Sequence, residues 1–438
     1  MFRFVLLCLF RTYFLEPEDP YFIQIGKTFI EEYTKMYGTD HFYNIDMFVE
    51  ETPSSRNLLY LHRCGKGVYE SIRQADPKGI WLLQGYPFNS LYDKFWGPKQ
   101  VKALVTAVPI NKMIILDNIA EVIPIYSQTD GYFGQPFIWC ILHNYGGVNG
   151  MFGSLNRINQ NGVFDARDQN PNMLGIGITP EGIEQNDIVY DYMLEIPWYN
   201  QAPNQTEWFS RYYRRRYGIS DDDDTNLDQA WQLLRKSVYN DPIGIKNHGR
   251  YIFISRPRPH SHSMLWYDPH DISKALRLFY EYLGKNPKII HLSDTFVHDL
   301  VDISRQTLQL IFDYYYKIMD NAFENRKQIQ ISILHKSIQQ LRNVLDLTES
   351  ILQSCKHCLL YNWINDARLL GNDTNEKNFN EWQARTQISI WGPKSNVSPL
   401  FVILLMLFFS YSLNLYYLIR IDSKLCCQTM VWYVSLSL

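Results

Sequence analysis
Between Phe22 and Trp198 the chain alternates helix-patterned segments with short apolar runs. Phe22–Tyr37 has helical periodicity and stops at Gly38; Leu58–Ala75 and Lys99–Val108 are helical again. Between them lie five strand candidates: Phe42–Glu50, Gly79–Gly85, Lys112–Asp117, Pro136–His143 and the glycine-interleaved run at 174–178. Strands separated by helices call for a parallel sheet covered by helices. The expected fold is therefore α/β: a partial (β/α)8, TIM-like barrel that lacks its N-terminal strands. Five strands are counted where a closed barrel needs eight. In such barrels the working residues stand at the C-terminal strand ends. Here those ends carry Glu50, Glu51, Gln84, Asp117, Glu121, His143, Asn144 and Glu181.

After Trp198 the pattern changes. Thr206–Tyr217, Leu227–Tyr239, Asp271–Leu283 and Asp294–Leu370 read as helices, and only Tyr251–Ser255 reads as a strand. Val297, Leu300, Val301, Leu308, Ile311, Tyr315 and Ile318 share one helical face. The expectation is an all-α domain over 203–396 following a barrel domain over 11–202. Arg214–Arg216 and the acidic run Asp221–Asp224 read as a solvated face in preference to a sulfate site. Residues 2–10 resemble the core of a short secretory signal, with no A-x-A-like cleavage site after them. Residues 400–420 are long enough to span a bilayer and carry no charge before Arg420. The tail 397–438 is read either as a transmembrane anchor or as translated non-coding sequence.

Composition narrows the function. A formal net charge of -3 over 438 residues gives no case for nucleic-acid binding. Aromatic residues reach 15%, with 31 Tyr and 11 Trp, and rings that line clefts stack on the apolar faces of sugars. Cys355 and Cys358 have CxxC spacing without a second half, so no metal is expected, and both are read as helix residues. Sequons at Asn204, Asn372 and Asn396 fit a secretory route.

Two carboxylates stand out at strand ends. Glu181 follows Thr179 and Pro180, read as a helix cap and a first-turn proline. Unpaired N–H groups and the positive end of a helix dipole there favour an ionised carboxylate, as a nucleophile requires. Spacing alone favours the plainer reading, a first-turn Glu that steadies the helix. Glu50 follows Phe48 and Val49 and precedes Glu51, surroundings that raise a pKa and suit an acid. Strand alternation puts Asp46, Phe48 and Glu50 on one face and Glu51 on the other. Glycoside hydrolysis uses such a pair. On the residues alone, an exposed loop carboxylate is the favoured reading of Glu50.

A resemblance adds to this. The stretches Leu15–Pro20 (LEPEDP), Gly38–His41 (GTDH), Asp46–Glu50 (DMFVE), Trp81–Gly85 (WLLQG), Phe95–Pro98 (FWGP) and Gly134–Asn144 (GQPFIWCILHN) occur in order. Thr179–Asn186 (TPEGIEQN), Arg235–Asn240 (RKSVYN) and Ile390–Pro393 (IWGP) follow. From about Arg11 to Asn396 the chain resembles the α-N-acetylglucosaminidase family, lysosomal exo-glycosidases of heparan sulfate breakdown. The resemblance implies a retaining hydrolase that releases terminal α-linked N-acetylglucosamine without metal or cofactor. It implies Glu181 as nucleophile and Glu50 as acid/base. It places His248, Trp391, Tyr86, Asn144 and Trp139 among the sugar-binding positions. The implied partners are heparan sulfate non-reducing ends, in the lysosome or secretory pathway; independently of the resemblance, the apolar run 400–420 is a candidate for membrane contact.

The chain departs from the family in four ways. Val49 stands where the family has Asn, and Tyr86 where it has Trp. The small N-terminal domain and first barrel strands have no counterpart before Arg11, and the resemblance stops at Asn396. A truncated member is therefore expected, and a non-catalytic sugar-binding or membrane-tethered remnant is the alternative.

Overall fold
A computed structural model describes residues 15–17, 19–48, 52–89, 94–143, 150–159, 162–180, 186–220, 225–242, 251–254, 260–261, 263–324 and 331–387. They fall into two compact units. The first comprises residues up to 143, 157–181 and 193–202. The second comprises 144–156, 182–192 and the chain from 203 on.

The first unit is built on five strands: β1 (Phe42–Asn44), β2 (Ile80–Gln84), β3 (Met113–Asp117), β4 (Phe137–Ile141) and β5 (Met173–Ile178). They pair in chain order and all in parallel. Helix α1 (Pro20–Tyr37) starts where the Asp19 side chain accepts the Tyr21 N–H, with proline at its first position. It ends at Gly38, whose φ of 78° suits glycine. Helix α2 (Leu58–Ala75) is capped by Asn57 and buries Leu61, Cys64, Val68 and Ile72 at helical spacing. Helix α3 (Pro98–Val105) packs so closely on α2 that a Cβ on Gly65 would lie 2.4 Å from the Leu104 carbonyl oxygen. Helix α4 (Val163–Gln169) leads into β5. The sheet core comes from Trp81, Leu83, Met113, Ile115, Phe137, Trp139 and Ile141, all buried. Strands β1 and β5 form its edges, so this is an open five-stranded segment of a (β/α)8 barrel.

The second unit is helical. It contains most of α5 (Asp187–Glu195), then α6 (Gln205–Tyr217), α7 (Thr225–Lys236), α8 (Pro269–Lys285), α9 (Asp294–Glu324), α10 (Ile331–Gln353), α11 (Leu360–Leu369) and α12 (Thr374–Gln387). Rings dominate its core. Trp208 stacks on Tyr212 with centroids 5.3 Å apart, and Tyr217 meets Phe296 edge-on at 5.3 Å. Leu308, Phe312 and Tyr316 of α9 pack with Leu341 and Val344 of α10.

Several expectations change. The segment read as a strand over Phe42–Glu50 is extended only to Asn44. Beyond it, the Ile45 carbonyl accepts the Trp81 indole N–H at 2.8 Å, and Phe48 has a φ of 62°. Alternation therefore cannot assign Glu50 and Glu51 to opposite faces; both lie outside the described residues. The segment read as a strand at Tyr251–Ser255 is a single 3-10 turn, Ile252–Ile254. Its first N–H is taken by the Asp313 carboxylate at 3.1 Å instead of a neighbouring strand. Cys355 and Cys358 are free thiols after α10: Cys355 precedes a 3-10 helical turn, Lys356–Cys358, and Cys358 ends it, so neither lies in an α-helix. The span read as helical over 294–370 holds, among the described residues, the helices α9, α10 and α11. Residues 400–420 lie outside the described residues, among which no helix is long and apolar enough to cross a membrane.

Candidate active site
The C-terminal ends of the five strands are joined by hydrogen bonds into one rim. After β1, Asp46 accepts the Gln84 side-chain amide at 2.8 Å. Burial raises the Asp46 pKa above the usual carboxylate value, and the Gln84 donors hold it back. After β2, Gly85 has no room for a side chain: a Cβ would come within 2.8 Å of the Tyr132 hydroxyl. Tyr86 follows on a 3-10 turn, and its N–H donates to Asn118 Oδ1 at 3.3 Å. The Asn118 carbonyl accepts the Thr179 hydroxyl at 2.9 Å, which ties β3 to β5. The Thr179 N–H donates to the Ile141 carbonyl at 2.8 Å, which ties β5 to β4.

The helix cap read at Thr179 would act on residues 181 and 182, which lie outside the described residues. Among the described residues, the Thr179 hydroxyl reaches the carbonyls of Asn118 and Ile141, at 2.9 and 3.1 Å. Three strand ends thereby fix the residue two places before Glu181.

Glu121 closes the rim from beneath. Its Oε1 accepts the N–H groups of Leu142 and His143 at 3.0 and 2.7 Å. These bonds hold the chain where it leaves β4, at a His143 φ of 52°. Arg157 reaches in from its helical turn and donates to the Glu121 and Val122 carbonyls at 2.6 and 3.0 Å. Burial pushes Glu121 up to about 7, against the two N–H bonds. Asp117 at the end of β3 is also pushed up to about 7 by burial, partly offset by the Tyr126 N–H at 2.9 Å.

These shifts fix a sign for stability against pH. Asp117 and Glu121 titrate higher when folded than when unfolded. Their contribution is complete below about pH 4 and is lost as pH rises through about 7. In the helical unit, burial raises Asp313 to about 6, which acts in the same sense. His298, raised to about 9 chiefly by its bond to Asp299, extends the loss above neutrality. Asp76, Asp299 and Glu381 are held low by their donors, and their contribution disappears in strong acid. The thermal midpoint is expected to peak near about pH 5 and to fall by roughly 5 °C or more by about pH 8. Calorimetry across that range checks it; a midpoint that climbs from pH 5 to pH 8 contradicts it.

Of the candidate residues, Tyr86 stands on the rim, half-buried. Trp139 lies in β4 at 0% exposure, so its ring is core and presents no free face to a sugar. Glu181, Glu50, Asn144, His248 and Trp391 lie outside the described residues. The described residues that lead toward Glu181, Glu50 and Asn144 in the sequence are Thr179, Asp46 and His143. Asp46, Asn118 and Thr179 carry rim bonds that the sequence reading did not assign. Polar residues one or two places past an apolar run were the available signal. Among the described residues, no cluster of His, Cys, Asp and Glu could hold a metal ion.

Two family models match: the Alpha-N-acetylglucosaminidase (NAGLU) tim-barrel domain over residues 6–200 and the C-terminal domain of the same family over 208–399. Human alpha-N-acetylglucosaminidase is 36% identical over 388 residues, 88% of this chain. The chain spans about half the length of that relative, 51%. Solved structures of a family 89 glycoside hydrolase from Clostridium perfringens are also similar. The complex with PUGNAc is 25% identical at a TM-score of 0.74, covering 87% of this chain and 42% of that one. The complex with 2-acetamido-1,2-dideoxynojirimycin has the same TM-score and coverage at 24% identity. With an open barrel sheet followed by a helical unit, and with both family domains matched in order over most of its length, the chain belongs to the α-N-acetylglucosaminidase family.

Proposed function
We propose that the chain is a retaining glycoside hydrolase that releases terminal α-linked N-acetylglucosamine from the non-reducing ends of heparan sulfate-type glycans. The observation that carries this is the rim. It anchors Thr179, two residues before Glu181, and Asp46, four residues before Glu50, at the same end of one parallel sheet. The human relative's activity and the 2-acetamido ligand of the Clostridium complex support the same reading. The barrel part is assigned to 11–202 and the helical part to 203–396.

The Glu181 carboxylate attacks the anomeric carbon while Glu50 gives its proton to the departing glycosidic oxygen. A glycosyl ester on Glu181 results. Glu50, now a carboxylate, takes a proton from water, and that water cleaves the ester with net retention. The two carboxyl groups should then stand about 5 Å apart. Tyr86 offers a ring on the rim, and His248, Trp391 and Asn144 complete the sugar contacts. The acid-favouring balance of the buried carboxylates suits a lysosomal or secretory compartment.

An aryl α-N-acetylglucosaminide tests the proposal, with proton NMR of the first-formed sugar. The expected product is the α anomer of N-acetylglucosamine. A β product contradicts double displacement, and no release of the aryl group by the folded chain contradicts the activity itself.

A further inference from the structure
Among the buried polar residues of the long helix α9, Asp299, Gln306 and Asp313 are spaced seven apart. Seven residues are nearly two turns, so the three lie about 10 Å apart in a row that drifts only about 20° per step. A buried polar row on a core helix needs partners, because an unmet polar group there is costly. Each rung finds them next to a different segment that carries a candidate site residue.

Asp299 accepts two bonds from Arg216, Nε at 2.8 Å and a terminal nitrogen at 2.9 Å. The same Arg216 nitrogen reaches Asp187, the first residue of α5, at 2.9 Å. Asp187 stands six residues after Glu181. Gln306, at 0% exposure, accepts the Met151 N–H at 2.9 Å and donates to the Tyr267 hydroxyl at 3.1 Å. Next to Met151, Phe152 gives its N–H to the Asn186 side chain at 3.0 Å, and that amide returns a bond to the Gly150 carbonyl at 3.2 Å. Gly150 is six residues after Asn144. Asp313 accepts the Ile252 N–H at 3.1 Å and the Ser263 hydroxyl. Ile252 is four residues after His248.

We infer that Asp299, Gln306 and Asp313 form a positioning row: one rigid helix sets, rung by rung, Asp187, Met151 and Ile252, the anchors that follow Glu181, Asn144 and His248 in the sequence. The inference deepens the glycosidase reading and rests on it for the roles of those three residues. The row acts through the segments it anchors. A single helix carrying all three anchors keeps their separations constant, because its backbone bonds hold the rungs at fixed spacing. Three sites on separate loops would drift independently. Asn186, at a φ of 57°, adds a cross-brace between the first two anchors.

Hydrogen exchange on the whole chain tests the row. Asp187→Ala, Gln306→Met and Asp313→Ala each remove one rung's link, with Asp313→Asn as the milder form should the alanine variant not fold. Asp187→Ala is expected to speed exchange about tenfold in 187–192, Gln306→Met in 150–155, and Asp313→Ala in 251–254, each leaving α7 and α8 unchanged. Gln306→Glu keeps an acceptor for Met151 and should retain protection. Each variant should also weaken binding of 2-acetamido-1,2-dideoxynojirimycin about tenfold, with Gln306→Glu near the parent. A variant that loosens all three segments together, or leaves its own segment unchanged, overturns the row. So does unchanged iminosugar affinity in all three variants when the parent binds. A parent chain that does not bind the iminosugar overturns the glycosidase reading instead, and the exchange pattern then decides the row alone.

Discussion

Glu181→Gln is expected to lower turnover of an aryl α-N-acetylglucosaminide by several orders of magnitude while leaving the thermal midpoint nearly unchanged. Glutamine keeps the size of the side chain and removes the negative charge. No other group can form the covalent intermediate of a double displacement, so the loss has no bypass. Glu50→Gln should behave differently. An aryl leaving group of low pKa needs little protonation, so the first step survives in part and the intermediate accumulates. Azide should then rescue Glu50→Gln with retained configuration, and should not rescue Glu181→Gln in that way. The end of extended backbone before Phe48 makes Glu51→Gln a necessary partner to this experiment. Severe loss in Glu51→Gln with a mild Glu50→Gln would transfer the acid role to Glu51. Near-full activity in Glu181→Gln would remove the proposed nucleophile.

The second large effect concerns stability. Asp299 is buried, and both its oxygens are used: Arg216 bonds each of them, Tyr217 donates to one at 2.8 Å, and His298 meets the other at 3.0 Å. Desolvation alone would raise this carboxyl, yet its donors and the Arg216 charge hold it below the usual range. Arg216→Met keeps an apolar stem of similar length and leaves the carboxylate without its strongest partner. The expected cost is about 3–5 kcal/mol, the range for removing one half of a buried ion pair. Adding Asp299→Asn to that variant should recover part of the loss, because the stranded charge is then gone. Denaturant titrations of the two single variants and the double variant provide the measurement. An Arg216→Met chain as stable as the parent would show that the pair is screened by solvent despite a side-chain exposure of only 14%.

The sheet was legible because burial in a parallel sheet writes itself as short apolar runs between amphipathic helices. All five strands fall where those runs lie. The rim residues Gln84, Asp117, Glu121 and His143 were legible as polar residues ending such runs. How they pair was not, since Glu121 holds the β4 exit across 21 and 22 residues of sequence. Arg216 was misread for a related reason. In a run of three arginines beside four aspartates, charge patterning points to solvent. The structure instead turns the third one inward to Asp299, 83 residues away. Trp139 shows the limit of an aromatic count: a ring inside a strand can serve the core as readily as a sugar. Of the carboxylates Glu50 and Glu181, the resemblance supplied roles that spacing alone left open.

The strand order bears on how the molecule is made. In β1–β5 every strand pairs with the one before it, so each new strand can dock as soon as it emerges. Synthesis from the N-terminus can therefore lay the sheet down in a single direction. The α9 row works on another schedule. Gln306 meets Met151 across 155 residues, and Asp313 meets Ile252 across 61. Those bonds cannot form until α9 has left the ribosome, long after the strands are complete. A nascent chain thus builds its sheet early and ties the Met151 and Ile252 segments to α9 late. Chains arrested before residue 294 should hold the sheet without these anchors, which form only once α9 has emerged.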